Sequence, residues 1–236
     1  MKTIKYIALA VVLFGLTAFN YGSNLGTGHN VIYYIPHQDD ETLTFGSSIY
    51  SHIQAGHNVH VVLLTDGGAT VVGDRLGLTR KELVDARNRE FDRALSVLGI
   101  KQENIHKFNF ADGKLKQREA RNIMEGFETL YPNASHKTYS YHDWHNDHKN
   151  AGLALKALAD SGKVSDARYY VRRDSEPEDV FLMRSNYKEE HYPFLLAASR
   201  SYNIKNESIG FYGIGWESVP NSFKRMEKRP WNYYHR

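Results

Sequence analysis

VIYYIPHQDDE, residues 31–41, joins a continuous apolar run to a dense group of imidazole and acidic side chains. The run from Val31 to Pro36 is short, uninterrupted and rich in β-branched and aromatic residues, which predicts a strand buried on both faces. In open parallel sheets, ligands bind beyond the carboxyl ends of the strands. The polar residues that follow Pro36 therefore stand where a binding or catalytic site is expected.

Short β-rich runs and longer helical patterns alternate along the chain after this strand. The further predicted strands cover residues 59–65, 105–108, 138–141, 168–171 and 180–183. The predicted helices cover residues 42–55, 79–98, 115–130 and 149–160. Such alternation predicts βαβ units, a parallel sheet and a single α/β domain. No pattern assigns a structure to the residues after Tyr187.

The composition excludes several classes of protein and site. The 236-residue chain carries a net charge of +3 and contains no cysteine. Its basic residues are scattered, and no cluster of Lys and Arg indicates a nucleic-acid partner. The lack of cysteine excludes disulfides, thiolate metal ligands and cysteine nucleophiles. Any metal ion would therefore be held by His, Asp or Glu side chains.

The N-terminus has the pattern of a secretory signal peptide. Lys2 and Lys5 precede an apolar stretch over residues 7–19, which is shorter than the ~20 apolar residues of a typical membrane-spanning helix. We expect residues 1–22 to be a cleaved signal peptide and residues 23–236 to form the exported domain. An uncleaved N-terminal anchor is the alternative. Export predicts a secreted or extracytoplasmic protein and is compatible with association with the cell wall or cell surface.

A second polar cluster follows the fourth predicted strand. It reads HDWHNDH, residues 142–148, and its His145 and His148 are three positions apart where a helix begins, so they can share one face. With His37 and Asp40 they supply enough ligands for a site of two imidazoles and one carboxylate. Such a site leaves a zinc coordination position open for water, and imidazole favours zinc or another transition metal over Mg²⁺. Surface turns and helix caps would explain either cluster alone, but two clusters at two strand ends favour a metal site.

The helix predicted at residues 79–98 carries charged residues on its apolar face. With 3.6 residues per turn, one stripe contains Leu83, Arg87, Glu90, Ala94 and Leu98. Buried charges need partners. An internal ion pair and a direct substrate contact are equal alternatives for Glu90. For Arg87 we expect a role facing the site, because a guanidinium suits a sugar hydroxyl or an anionic substituent.

Four segments in order resemble the motifs of the PIG-L/LmbE-like N-acetylglucosaminyl deacetylase family. PHQDDE at residues 36–41 resembles the metal motif of that family, and HNDH at residues 145–148 resembles its second motif, His-x-Asp-His. Residues 87–99 resemble its helix pattern R-x-x-E-x-x-x-A-x-x-x-L-G, and FADGKL at residues 110–115 resembles its P-D-G-x-L loop with Ala in place of Pro. The resemblance covers roughly residues 31–155. It implies a zinc enzyme with a Rossmann-like, mostly parallel sheet and helices on both faces.

The same resemblance implies roles for individual residues. Zn²⁺ would be held by His37, Asp40 and His148. Asp39, beside a ligand but free of the metal, would be the general base that deprotonates the water and later protonates the amine. His145 would stabilise the tetrahedral oxyanion.

Three further residues receive roles through the resemblance. Asp147 would orient the ring of His145 and keep it protonated. Arg87 and Asp112 would contact the sugar. The role of Glu41 stays open, because a carboxylate at that place could cap the next helix or stand behind the metal ligands.

Two features depart from the family pattern and bear on the choice of substrate. Asp143 stands where some relatives carry a Tyr that assists at the oxyanion, and residues 188–202 follow the late helix of the family only loosely. Four aromatic residues offer either sugar-stacking surfaces or ordinary packing: Trp144, Phe211, Tyr212 and Trp216.

The expected reaction is removal of the N-acetyl group from a glycan or glycoconjugate that contains N-acetylglucosamine. Export favours a cell-wall or extracellular glycan. One alternative is a metal-dependent amidase that cleaves a larger acyl amide next to a sugar, and it would use the same zinc. The other is a non-catalytic exported sugar-binding module. The presence of every expected ligand and of the base argues against that module.

Overall fold

A computed structural model describes residues 28–173 and 176–236. Within these ranges a seven-stranded sheet has the strand order β3-β2-β1-β4-β5-β9-β6. Its strands are β1 (Asn30–Ile35), β2 (Asn58–Thr65), β3 (Ile105–Phe110), β4 (Ser135–Tyr139), β5 (Asp166–Tyr170), β6 (Met183–Arg184) and β9 (Tyr233–His235). The pairings among β1 to β5 are parallel, and those of β9 with β5 and β6 are antiparallel. The predicted α/β fold with a mostly parallel sheet is confirmed.

Helices cover both faces of the sheet, as predicted. They are α1 (Gly46–Gln54), α2 (Val72–Arg75), α3 (Arg80–Leu98), α4 (Gln117–Leu130), α5 (Asn146–Asp160), α6 (Tyr192–Ser201), α7 (Ile214–Ser218) and α8 (Pro220–Lys228). A π-helical turn at Glu41–Phe45 leads into α1. One apolar core joins the sheet to α1, α3, α6 and α8, and a second core joins the other face to α4 and α5. Outside the large sheet, β7 (Lys205–Asn206) and β8 (Phe211–Tyr212) form a hairpin.

Strand β1 contributes to both cores. Tyr33 and Ile35 point into the core that contains α1 and α3, whereas Ile32 and Tyr34 point into the core that contains α4 and α5. Alternate residues of a strand face opposite sides of the sheet, so a strand that is covered on both sides must be apolar throughout. The continuous apolar run in the sequence has this origin.

Helix α3 begins and ends at residues that cap its backbone groups. The hydroxyl of Thr79 accepts a hydrogen bond from the amide of Glu82, and the Glu82 carboxylate accepts one from the amide of Thr79. At the other end, Gly99 adopts a φ of 89°, a conformation that costs glycine little. Between these caps, Arg87 and Glu90 are buried together with the apolar stripe.

The structure differs from the sequence-based expectations at two strands. The strand predicted at residues 138–141 begins earlier, at Ser135. The prediction missed this start because Ser135, His136 and Lys137 are buried although they are polar, so the sequence shows no apolar run there. The strand predicted at residues 180–183 is reduced to β6, a two-residue edge strand. The residues after Tyr187, which carried no clear pattern, form α6 to α8 and the inserted strand β9.

The predicted signal peptide, residues 1–22, lies outside the described residues. Across residues 28–173 and 176–236, no helix has both the length and the apolar character required to span a membrane.

Candidate metal centre and active site

The two polar clusters meet at the carboxyl ends of neighbouring strands. His37 follows β1 directly, and His148 lies in the first turn of α5, which follows β4. Strands β1 and β4 are paired in parallel, so their carboxyl ends lie at the same edge of the sheet. Helix α5 packs closely there, since a Cβ atom on Gly152 would come within 2.7 Å of the carbonyl oxygen of Tyr139.

Three side chains converge on one point between the clusters. The Nδ1 atom of His37 lies 3.3 Å from Oδ2 of Asp40 and 3.2 Å from Nε2 of His148. The same two atoms of Asp40 and His148 are 3.3 Å apart. Ligand distances of about 2.0–2.1 Å around a tetrahedral zinc ion imply edges of about 3.3 Å between ligand atoms. The three atoms thus have the separations that a tetrahedral zinc ion requires.

Two neighbours fix the orientation of these ligand candidates. The hydroxyl of Tyr139 donates to Oδ1 of Asp40 at 2.6 Å, and its ring stacks on the ring of His148 at a centroid distance of 3.8 Å. The Nδ1 atom of His148 lies 3.2 Å from Oδ2 of Asp143. When Nδ1–H donates to this carboxylate, the lone pair of Nε2 is directed at the shared point. Asp143 therefore orients the His148 ring from the side opposite to the shared point.

The opposite edge of the His37 ring faces carboxylates. Its Nε2 atom lies 3.0 Å from Oδ2 of Asp147 and 3.2 Å from Oδ1 of Asp112. Asp147 is fully buried, and its oxygens also accept hydrogen bonds from the amides of Gly113 and Leu115. Asp147 meets His145 through its backbone amide and not through its carboxylate, so the expected effect of the carboxylate on His145 stays a prediction. The carboxylate lies against His37, and the amides of Gly113 and Leu115 in the loop after β3 hold the carboxylate there.

The charge around His37 favours a cation. Burial alone lowers the pKa of His37, but hydrogen bonds to Asp112, Asp147 and Asp40 outweigh burial and raise this pKa well above its usual value. Burial alone raises the pKa of Asp40, but His148 and His37 outweigh burial and lower this pKa well below its usual value. Carboxylates that draw a proton onto an imidazole also attract a metal ion. The site thus has the donor set and the electrostatics of a divalent metal centre.

His145 stands beside the proposed ligands with a defined tautomer. Its ring centroid is 4.7 Å from that of His37 and 4.7 Å from that of His148. Its Nδ1 atom accepts a hydrogen bond from the backbone amide of Asp147 at 3.3 Å, so the neutral ring carries its proton on Nε2. Burial, His148 and His37 lower the pKa of His145. In this tautomer a neutral His145 ring offers its Nε2–H as a hydrogen-bond donor, and the protonated ring implied by the family resemblance stays a prediction.

Asp39 has an unusual backbone conformation. Its φ is 100°, in a region that non-glycine residues rarely occupy and that costs roughly 1–3 kcal/mol. Its amide donates to Oε2 of Glu41 at 3.0 Å and to the hydroxyl of Tyr202 at 2.9 Å. Burial raises the pKa of Asp39 to about 7, although the charge of Arg87 opposes this change. A carboxylate with this pKa is suited to exchange protons near neutral pH.

Arg87 is buried and faces the protein. Its Nη2 donates to the carbonyl oxygen of Gln38 at 2.6 Å and to Oδ2 of Asp39 at 3.1 Å, while Nη1 donates to the carbonyl of Gly67 at 2.7 Å. The side chain lines the site cavity, but only 4% of the residue is exposed. These contacts hold the Asp39 peptide and side chain. The expected contact of Arg87 with the sugar stays a prediction.

Glu41 and Glu90, whose roles the sequence left open, both bind backbone amides. Glu41 accepts from the amide of Asp39 and from the hydroxyls of Thr42 and Tyr202. Glu90 accepts from the amides of Ile214 at 2.7 Å and Gly215 at 2.9 Å at the start of α7. Glu90 therefore fastens α3 to the C-terminal helices, and no internal ion pair with Arg87 is formed among the described residues.

A cavity of about 350 Å³ opens above the candidate metal centre. Besides the ligand candidates, its walls include Asp39, Arg87, Asp112, His145 and Trp144. Trp144 is 66% exposed and lies under the guanidinium of Arg172, 4.7 Å from the ring centroid. The other aromatic candidates do not line this cavity. Trp216 stacks on Phe223 in the core, and Phe211 and Tyr212 form β8.

Sequence reasoning missed Tyr202 and the part that Tyr139 takes in the site. Tyr202 belongs to the segment without a clear pattern, and its hydroxyl reaches Asp39 across 163 positions of the chain. Tyr139 lay inside a predicted strand, where an aromatic residue is ordinary. A useful signal was present only for Tyr139, which lies three residues before the polar cluster at residues 142–148.

Comparisons with known proteins connect the chain to a family of deacetylases. The family model described as PIG-L, GlcNAc-PI de-N-acetylase, matches residues 32–159. The chain is 29% identical over 136 residues to the probable N-acetyl-alpha-D-glucosaminyl L-malate deacetylase 2 of Bacillus anthracis. That match covers 55% of this chain and 59% of the relative, so the chain spans less than two thirds of the relative's length.

Solved structures of deacetylases share the fold. The A40926 pseudoaglycone deacetylase Dbv21 superposes with a TM-score of 0.65 at 19% identity, covering 88% of this chain and 96% of the other. The N,N'-diacetylchitobiose deacetylase from Pyrococcus horikoshii gives a TM-score of 0.62 at 18% identity, covering 89% of this chain and 82% of the other. At these identities the likeness establishes the fold.

Proposed function

Because this chain belongs to the PIG-L family of de-N-acetylases, we propose that it is a zinc-dependent hydrolase of N-acetylated amino sugars. Its substrate is a glycan or glycoconjugate that contains N-acetylglucosamine, from which it releases acetate. The observation that carries the proposal is the triangle of His37, Asp40 and His148, with edges of 3.2–3.3 Å, next to the carboxylate of Asp39.

The residues present fit a zinc ion. His37, Asp40 and His148 would hold it through Nδ1, Oδ2 and Nε2, and three protein ligands leave a position open, as in catalytic zinc sites. A zinc ion bound there supplies a Lewis acid for the amide carbonyl and lowers the pKa of the attacking water. Asp147 and Asp143 stabilise the tautomers that present the two imidazoles.

Asp39 is the proposed general base. Its Oδ2 atom is held by Arg87, and its carboxylate lines the cavity one residue before Asp40. In this position it takes a proton from the attacking water and returns it to the amine that leaves. The hydrogen bond from Arg87 fixes the direction of the carboxylate during both transfers.

His145 is the proposed donor to the oxyanion. Because its Nδ1 atom accepts from the amide of Asp147, the Nε2–H of the neutral ring is available to the carbonyl oxygen as negative charge develops. Asp112 lies at the cavity wall with Oδ2 bound to the amide of Ala69 and Oδ1 near His37. Its remaining capacity for hydrogen bonds makes it a candidate contact for a sugar hydroxyl.

Incubation of the purified protein with N,N'-diacetylchitobiose, in the presence and absence of zinc, tests the proposal. Mass spectrometry should show the loss of one acetyl group and an enzymatic assay should detect free acetate, both only with metal. A panel with longer acyl amides distinguishes a general amidase. If the protein binds the sugars but releases no acetate, the result would refute the proposal and support a non-catalytic sugar-binding module.

We also propose that the protein is exported, from the positive N-terminus and the apolar stretch at residues 7–19. Export would place the site next to extracytoplasmic or cell-wall glycans. N-terminal sequencing of the protein from the medium or the cell envelope tests this proposal. A full-length protein that stays inside the cell would contradict it.

A further inference from the structure

Tyr202 reaches the candidate site from the C-terminal part of the chain. Its hydroxyl accepts a hydrogen bond from the amide of Asp39 at 2.9 Å and donates one to Oε1 of Glu41 at 2.8 Å. Tyr202 follows α6 and is completely buried. The phenol therefore contacts the backbone of the proposed base without lining the cavity.

The amide of Asp39 needs such a partner. With a φ of 100°, the Asp39 backbone departs from the conformations that an L-residue prefers, and surrounding contacts must hold it there. Tyr202 and Glu41 bind its amide, while Arg87 binds the preceding carbonyl of Gln38 and the Asp39 carboxylate. Hydrogen bonds thus hold both the amide of Asp39 and the carbonyl that precedes it.

The ring of Tyr202 is itself tightly fixed. A Cβ atom on Gly215 would lie only 2.4 Å from Cδ1 of Tyr202, so the glycine lets the two segments approach. The ring also packs on Phe223 at a centroid distance of 5.3 Å, and the Tyr202 carbonyl accepts from the amide of Trp216 at 3.2 Å. These contacts set the position of the hydroxyl independently of the motif at residues 36–41.

From this arrangement we propose that Tyr202 is a positioning residue that holds the Asp39 peptide in its strained conformation and thereby aims the Asp39 carboxylate. The inference rests on the proposed function for the catalytic part of its effect. It assigns to the C-terminal helices a direct part in the geometry of the site. The positioning itself does not depend on which glycan is the substrate.

Tyr202→Phe removes the hydroxyl and keeps the ring. We expect kcat to fall by about 10–100-fold, because small misplacements of a reacting group cost this much, while KM stays within about twofold. Metal content should be unchanged. Tyr202→Gln should recover part of kcat, since its amide can both accept and donate a hydrogen bond. The matched control is Tyr170→Phe, which removes a buried hydroxyl bonded to Ser48.

Hydrogen exchange gives a readout that does not need activity. Mass spectrometry of a peptide over residues 37–43 should show exchange of the Asp39 amide about tenfold faster in Tyr202→Phe, because a hydrogen bond of ordinary net strength is lost. Tyr170→Phe should leave this peptide unchanged. If Tyr202→Phe does not fold, two other variants make the same comparison. Tyr202→Met lacks the polar group, and Tyr202→Gln, of similar size, retains one.

The outcomes separate the two proposals. A wild-type protein without deacetylase activity refutes the proposed function, and the exchange rates alone then decide whether Tyr202 holds Asp39. An active wild type with an unchanged kcat in Tyr202→Phe overturns the positioning role. Equal losses in kcat, metal content and thermal stability would also overturn it, since they indicate a purely structural residue.

Discussion

Oδ2 of Asp147 lies 3.0 Å from Nε2 of His37, on the edge of the imidazole opposite to Asp40 and His148. A carboxylate at this position fixes the tautomer of a metal-binding histidine and makes it a stronger ligand. Asp147 therefore contacts a proposed metal ligand, although its place in the second motif suggested a partnership with His145.

Asp147→Asn should lower zinc affinity by about 10–100-fold, because such carboxylate partners typically contribute this much. Competition with a chromophoric chelator measures the affinity. Glu128→Gln is the matched control. Oε2 of Glu128 lies 2.7 Å from Nε2 of another buried histidine, His136, which is not part of the candidate site. If Asp147→Asn keeps its zinc affinity but loses turnover, Asp147 acts on His145 and not on the proposed metal ligand.

Asp39→Asn should keep the metal and lower kcat by about 10²–10⁴-fold, since the amide cannot accept the proton of the water. His148→Ala should instead lose the metal, because one of the three ligand candidates is missing. Metal analysis of both purified variants, combined with acetate release, distinguishes the two effects. An active Asp39→Asn enzyme would refute the base assignment.

Arg87→Lys tests whether the guanidinium holds Asp39 or binds the sugar. A single ammonium cannot reach Gly67, Gln38 and Asp39 together, so we expect kcat to fall by about tenfold or more with little change in KM. Arg93→Lys, at an exposed position of the same helix, is the control. A raised KM with an unchanged kcat would instead support the substrate contact.

Because Lys137 is buried, we expect the free energy of unfolding to depend on pH whether or not a metal ion is bound. It is fully buried on β4, where its Nζ donates to Ser135, and burial lowers its pKa to about 7. Between pH 7 and the ordinary lysine pKa, the unfolded chain binds a proton that the folded chain does not. Stability from this residue is therefore complete above the unfolded pKa and is lost as the pH falls through about 7.

Lys137→Met should accordingly stabilise the protein at pH 7 by on the order of 1–3 kcal/mol, with a smaller gain above pH 10. Thermal unfolding of wild type and variant across this pH range measures the effect. Lys107→Met, which removes a partly exposed lysine paired with Asp92, should give no such gain. A gain for Lys137→Met that is equal at all pH values would contradict the burial of the charge.

Much of the fold could be predicted because burial imposes regular patterns on the sequence. The apolar run of β1 and the stripe of α3 from Leu83 to Leu98 are of this kind. The pattern failed where buried residues are polar, as in the Ser135–Tyr139 strand. It failed again at β9, which is only three residues long and pairs with strands distant in sequence.

The sequence by itself determined the α/β fold class, the two polar clusters and the residue types that can bind a metal, because the alternation of strands and helices and the ligand chemistry are local properties. Only the tertiary structure decided which groups face each other. Asp147 meets His37 across 110 positions, and Tyr202 meets Asp39 across 163. Such partners depend on how loops and helices from remote parts of the chain pack together, and no local pattern of hydrophobic and polar residues encodes that packing.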